Sequence, residues 1–177
     1  MIELLKQALV GQFDAALSMM HDSVKRCPAD QWEQSVGNFP FWHVAYHLLF
    51  YVDLYLSRDE HSFRPQGLHR ENYQFFGQLP WPPHEEVKAD VPLEKTAILE
   101  YIQHCREKAV KSIESETAES LQGPSGFSWY PISRVEFHIN NIRHVQHHAA
   151  QMSLALRRSV GLNVGWVGTG FREAENG

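Results

Sequence analysis

Apolar residues recur at three- and four-residue steps in four long stretches of the chain, which is the pattern of amphipathic helices. The stretches predict helices over about 2–26, 40–57, 93–118 and 133–158. The second stretch is apolar on nearly every side, and a helix of that kind is buried over most of its surface. The pattern therefore predicts an all-α fold, a four-helix bundle built around the second helix.

Residues with known preferences for helix ends mark the boundaries of these stretches. Pro28 ends the first helix because a proline pushes the residue before it out of helical geometry. Pro40 falls in the first turn of the second helix, a position that proline favours. Ser133, with Glu136 three residues later, predicts a capping box at the start of the fourth helix, and Gly161 follows its end.

The segment 58–92 has little periodicity and contains five prolines. It predicts a long crossover between the second and third helices of an up-down-down-up bundle, with one short helical turn near 69–76. Its large aromatic side chains would pack rather than remain in water, so the crossover is expected to lie across the bundle: Phe63, Tyr73, Phe75, Phe76 and Trp81. The whole chain, 1–177, is read as one domain, and its tail 159–177 is expected to dock through Val164, Trp166, Val167 and Phe171.

The composition is that of an ordinary globular protein, with 43% hydrophobic and 21% charged residues among 177. A net charge of -5 argues against a nucleic-acid partner, which requires a basic surface. Two cysteines give no disulfide framework and favour a reducing, cytoplasmic location. The start of the chain has no signal-peptide pattern, and no apolar run reaches the roughly 18 residues of a membrane span.

Histidine is abundant, with 11 residues, so histidine spacing alone cannot predict a metal site. Position on the helix is more informative. At about 100° per residue, His144 and His148 share the apolar face of the fourth helix, while His147 points away from it. Two histidines one turn apart can bind the same cation, so this pair predicts two ligands inside the bundle.

A third ligand must come from another helix, and the buried second helix offers His43 and His47. We favour His47, which lies deeper in that helix. Three imidazoles leave coordination positions open, as in catalytic sites, and they suit zinc, nickel, iron or copper rather than calcium or magnesium. Ligating imidazoles require a hydrogen-bond acceptor on their other nitrogen, and three nearby residues are candidates for that role: Asn141, Gln151 and Tyr51.

The segment from Pro40 to Phe50, followed about a hundred residues later by His144-Val-Gln-His-His148, resembles the DinB/YfiT-like superfamily. That resemblance covers most of the chain and implies a metal-binding four-helix bundle, often a homodimer, with nickel or zinc held by His47, His144 and His148. The frequent glutamine of the family falls on Gln151. Many members have Arg-Gly before that glutamine, whereas this chain has two alanines at 149–150, so a role that depends on the arginine is not implied here.

The resemblance implies a small-molecule substrate or ligand. The acidic net charge disfavours a nucleic-acid partner, and the lack of a long apolar run disfavours a membrane one. Some relatives are thiol-dependent transferases, so we expect a metal-dependent hydrolase or a transferase that uses a low-molecular-weight thiol. The alternative is a non-catalytic, stress-related protein that binds metal or a small molecule. No carboxylate is placed beside the histidines by the sequence, and a general base is therefore not predicted.

Overall fold

The computed structural model describes residues 1–171. Its helices are α1 (Ile2–Arg26), α2 (Phe41–Tyr55), α3 (Lys95–Ser115), α4 (Ala118–Gln122) and α5 (Arg134–Val160). A 3-10 turn (Ala29–Gln31) and a small antiparallel hairpin of β1 (Ser35–Val36) and β2 (Phe39–Pro40) connect α1 to α2. The hairpin was not predicted, because two-residue strands leave no periodic pattern. The end of the predicted tail, 172–177, lies outside the described residues.

The four long helices form a bundle in which α1 and α2 each pack against both α3 and α5. Where contact partners increase in residue number along both helices, the helices are parallel. This holds for α1 and α5, which meet through Phe13 with His138 and Met19 with Gln146. It holds also for α2 and α3, which meet through Leu49 with Cys105 and Leu56 with Ser112. Contacts that advance in opposite directions show that α1 is antiparallel to α3 (Lys6 with Glu114, Asp14 with Arg106) and α2 to α5 (His47 with His148, Val52 with Asn141). The predicted up-down-down-up bundle is therefore confirmed.

Helix α2 packs against α3 and α5, and its apolar residues are buried on several sides. Asp53 differs from the apolar residues around it, because it is a fully buried carboxylate. It accepts hydrogen bonds from Tyr101 at 3.0 Å and Lys108 at 2.5 Å, which join α2 to α3 and offset the cost of burying the charge. No helix among residues 1–171 combines the length and the hydropathy needed to cross a membrane.

The third helix was predicted over about 93–118, and the predicted position of its carboxyl end is wrong. Helix α3 stops at Ser115, and the separate short helix α4 begins after Thr117. The Thr117 side chain accepts a hydrogen bond from the Ser120 amide, and the Ser120 side chain accepts one from the Thr117 amide, a capping box that starts a new helix. At α5 the Ser133 side chain accepts from the Glu136 amide, so Ser133 caps the helix as predicted, but the described residues show no return hydrogen bond from the Ser133 amide to the Glu136 side chain, and the predicted capping box is incomplete. Gly161 ends that helix with φ +69°.

The crossover between α2 and α3 lies across α2, but it contains turns rather than the predicted helical turn near 69–76. Two of its backbone carbonyls are hydrogen-bonded to α2: Tyr73 O accepts from His43 Nε2, and Gln74 O accepts from His47 Nδ1, each at 2.7 Å. Side chains on α2 therefore satisfy two backbone carbonyls of the crossover.

The tail docks on α1, where Gly11 allows a close approach. A Cβ at Gly11 would lie 2.7 Å from Thr169 Oγ1, and the Gly11 carbonyl accepts a hydrogen bond from the Gly170 amide. Val167 is buried against α1, as expected. Trp166 is 73% exposed, so the prediction that it docks is wrong; with Val167 turned toward α1, its neighbour faces solvent.

Candidate metal centre

Three imidazoles meet between α2 and α5. The ring centroid of His47 lies 5.5 Å from that of His144 and 5.0 Å from that of His148, and the last two lie 4.8 Å apart. One nitrogen from each ring lies within 4.8 Å of the others. Zinc binds each ligand nitrogen at a distance of roughly 2.0–2.1 Å. Small side-chain rotations would bring the three nitrogens to that distance from one shared ion, so the group could hold a metal ion.

The helices position these rings for reasons visible in the chain. His144 and His148 are one turn apart on α5, so both project from the same face. The antiparallel packing of α2 against α5 then places His47 opposite the pair. Because all three histidines belong to regular helices in the bundle, their spacing is set by helix packing rather than by a loop.

Hydrogen bonds decide which nitrogen carries the proton in two of the rings. The Gln74 carbonyl can only accept, so His47 Nδ1 donates to it and His47 Nε2 keeps its lone pair. The Gln151 amide donates from Nε2 to His147 Nε2 at 3.1 Å and accepts at Oε1 from His148 Nδ1 at 3.0 Å. His148 Nε2 therefore also keeps its lone pair, the tautomer that a metal ligand needs.

The third ring, His144, has a buried Nδ1 with no hydrogen-bond partner among the described residues. Buried polar atoms are usually paired, so this nitrogen is available to a partner at the centre. A neutral imidazole with an unsatisfied nitrogen beside two rings with free lone pairs fits a cation well. This donor set, three nitrogens without a carboxylate, suits a transition metal rather than calcium or magnesium.

Burial keeps the three histidines neutral. Desolvation lowers the pKa of His47 to about 3, with smaller contributions from the neighbouring histidines. The same cause lowers the pKa of His144 to about 3 and that of His148 to about 4. At neutral pH all three rings are therefore unprotonated, and metal binding does not have to displace a proton from them.

The crossover supplies one wall of the centre. The ring of Phe76 stacks on His47 with centroids 3.9 Å apart and an interplanar angle of 17°. Phe39 of the hairpin stacks on the other side of Phe76 at 4.3 Å. These contacts fix the plane of the His47 ring and cover one side of it with apolar surface.

On another side the centre opens into a cavity of about 430 Å³. His47 and His144 are among its lining residues. The remaining lining residues are three tyrosines and three polar residues of α5: Tyr51, Tyr55, Tyr130, Asn140, Arg143 and His147. Burial raises the pKa of Tyr51 to about 12 and also raises that of Tyr55, so both phenols are neutral and can donate hydrogen bonds.

The three residues predicted as hydrogen-bond partners of the histidines differ in what they contact in the structure. Gln151 bonds to His148, but the amide of Asn141 donates to the Val52 carbonyl at 3.4 Å, where it joins α5 to α2. Tyr51 meets His47 and His144 through ring edges, at 5.0 and 5.9 Å between centroids, with no hydrogen bond to either ring in the described structure.

Several residues at the centre could not be assigned from the sequence. The acceptor for His47 is the backbone carbonyl of Gln74, and a carbonyl leaves no sequence signal. The aromatic content of the crossover did indicate packing, but not that Phe76 would lie on His47. His43, the alternative third ligand, is buried and bonded to the crossover instead, and it is not part of the histidine group.

Comparison with known proteins agrees with this architecture. A sequence model of the DinB superfamily, whose members bind metals in general, matches residues 12–152. No curated protein and no solved structure gives a significant match. The matched segment covers far more than half of the chain and includes the three clustered histidines, and the chain therefore belongs to the DinB superfamily.

Proposed function

We propose that this protein binds one divalent transition metal, nickel or zinc, through His47, His144 and His148 and uses it to activate a small molecule in the adjoining cavity. The observation that carries the proposal is the convergence of three neutral imidazoles, two of which have their Nδ1 protons already committed to acceptors. A cation bound by three imidazoles acts as a Lewis acid that lowers the pKa of a water or thiol and polarises a carbonyl.

The cavity lining favours thiol chemistry over hydrolysis. None of the described residues that line the cavity is an aspartate or a glutamate, so the site offers no carboxylate as a general base for water. A thiol needs less help, because its own pKa is much closer to neutrality. We therefore favour a transferase in which the sulfur of a low-molecular-weight thiol forms a bond to an electrophilic carbon, the thiol proton is lost to solvent and the leaving group departs.

The residues of the chain would orient the reactants. The phenols of the half-buried Tyr51 and the buried Tyr55 are neutral and can donate hydrogen bonds to an electronegative atom or leaving group. Phe76 covers His47 and keeps water from one side of the centre. The second candidate function is that of a non-catalytic, stress-related protein that binds metal or a small molecule. The lack of a carboxylate base among the described residues that line the cavity supports this candidate as well.

Single alanine substitutions at His144 and His148 test the metal site. Each should abolish stoichiometric metal binding, measured by elemental analysis of untagged protein after dialysis, because two imidazoles hold a cation far more weakly than three. His147→Ala is the matched control, since His147 lies on the same helix but outside the group. Full metal retention in both test variants, or equal loss in His147→Ala, would contradict the assignment.

Turnover separates the two candidate functions. The metal-loaded protein is expected to consume a low-molecular-weight thiol in the presence of a haloaromatic or an epoxide, and the metal-free protein is not. A protein that binds metal stoichiometrically but shows no turnover across a panel of thiols would favour the binding role. The homodimer implied by the resemblance stays a prediction, and light scattering should give twice the chain mass of 20.4 kDa.

A further inference from the structure

The cavity beside the three histidines has two chemically different sides. Tyr51, Tyr55 and Tyr130 form an aromatic side, with ring centroids 5.4 Å apart for the first two and 5.6 Å apart for the last two. The lining residues that α5 contributes are polar and form the other side. The volume of about 430 Å³ lies within the range of small-molecule sites, roughly 300–1,000 Å³.

Arg143 gives this polar side an uncompensated charge. It is the cationic side chain among the described lining residues, and no acidic side chain accompanies it there. Its guanidinium makes no ion pair or hydrogen bond with residues 1–171, in contrast to Arg134 and Arg106, which are paired with Glu116 and Asp14. Five N–H donors are therefore free to bind an anion, and their planar arrangement matches a carboxylate or a phosphate.

The position of Arg143 connects this charge to the metal centre. It precedes His144 in the chain, and Asn140 and His147 lie one turn to either side of it on the same face of α5. A ligand whose anionic group binds Arg143 would place its body against the tyrosine rings and its other end beside His47 and His144. Neither the aromatic side nor the cationic side alone selects a ligand, but together they select one with both features.

We propose that the cavity binds a small molecule with an aromatic or planar body and an anionic group, and that Arg143 is the residue that selects for the anion. This inference rests on the proposed function, because it places the reactive end of the molecule at the metal. It assigns to Arg143 a role in specificity and none in the chemistry.

Binding of a charged thiol and its neutral ester tests the role of Arg143. Cobalt(II)-loaded protein is titrated anaerobically with mercaptophenylacetate and with its methyl ester, and the thiolate-to-cobalt charge-transfer absorption reports binding. Arg143→Gln should weaken binding of the acid about tenfold, the lower end expected for a charge-assisted hydrogen bond, because Arg143 is exposed. Binding of the ester should change less than about twofold, since it has no charge for Arg143 to recognise.

Two further variants complete the design. Arg143→Lys should retain part of the preference for the acid, because it keeps the charge without the planar fork. Arg157→Gln, a change of the same kind at an exposed position near the end of α5, should leave both ligands unaffected. Equal weakening of acid and ester in Arg143→Gln, or no weakening of either, would overturn the inference while leaving the metal site intact.

Failure of the metal site would be recognised separately, because cobalt would then give no bound spectrum even before the thiol is added. In that case the anion preference is measured on the metal-free protein, from NMR shifts on titration with phenylacetate and its methyl ester. A preference for the acid that disappears in Arg143→Gln supports the inference; the lack of any preference in the unmodified protein refutes it.

Discussion

Replacing Gln151 by alanine removes the acceptor that holds the His148 ring in its metal-binding tautomer. In the structure Gln151 Oε1 lies 3.0 Å from His148 Nδ1, and its amide nitrogen donates to His147 Nε2. Without the side chain, the proton on His148 is free to move to Nε2, the nitrogen that should bind the cation. The substitution should therefore weaken metal binding while all three histidines remain in place.

The size of this effect follows from the exposure of Gln151. Removing a hydrogen-bond partner of a metal ligand weakens metal affinity by about 10–100-fold. Gln151 is exposed, so water can replace part of its role, and we expect the lower end, about tenfold or about 1.4 kcal/mol. Metal at a hundred times the Kd of the unmodified protein should stabilise that protein by about 2.7 kcal/mol, but the variant by only about 1.4 kcal/mol.

Competition with a chromophoric chelator gives the Kd, and urea denaturation with and without metal gives the stabilisation. Gln146→Ala is the matched control, because Gln146 lies on the same helix and contacts Met19 Sδ on α1 rather than a histidine. If Gln151→Ala binds metal within twofold of the unmodified protein, the tautomer argument is refuted. A loss of equal size in Gln146→Ala would show that the effect comes from the helix and not from the hydrogen bond.

Two further predictions concern stability. In the metal-free protein, burial lowers the pKa of His47 and His144 to about 3 and that of His148 to about 4, against about 6.5 in the unfolded chain. Below pH 6.5 the unfolded chain then binds more protons than the folded protein does. The free energy of unfolding should therefore be largest above pH 6.5 and should fall toward pH 4, by at most about 1.4 kcal/mol per pH unit for each histidine. If urea denaturation gives the same free energy of unfolding across that pH range, the burial of these rings is contradicted. Asp53→Asn should lower the free energy of unfolding, measured by urea denaturation, by about 3 kcal/mol, because it leaves Lys108 of α3 without its buried partner. Glu107→Gln, at an exposed position of α3 next to Lys108, should change that free energy by less than about 0.5 kcal/mol. Equal free energies of unfolding for the two variants would show that the buried pair contributes nothing.

Much of the fold could be predicted because local patterns are informative in three of the four long helices. Helix α5 shows this most clearly, since apolar residues at three- and four-residue steps define its inward face and place His144 and His148 on it. The break after Ser115 was missed because its cause is a local competition: Thr117 and Ser120 form a capping box inside an otherwise helical pattern. The hairpin between α1 and α2 is too short to produce a pattern of its own.

The sequence by itself determined the helices, their order and the pairing of His144 with His148, because these depend on spacing along one chain segment. Only the tertiary structure decided between His43 and His47. Helix α2 is apolar on nearly every side, so periodicity does not define which of its faces meets α5, and packing does. The same is true of the Gln74 carbonyl, the Phe76 ring and the cavity at Arg143, since each joins segments far apart in the chain whose contacts no local pattern encodes.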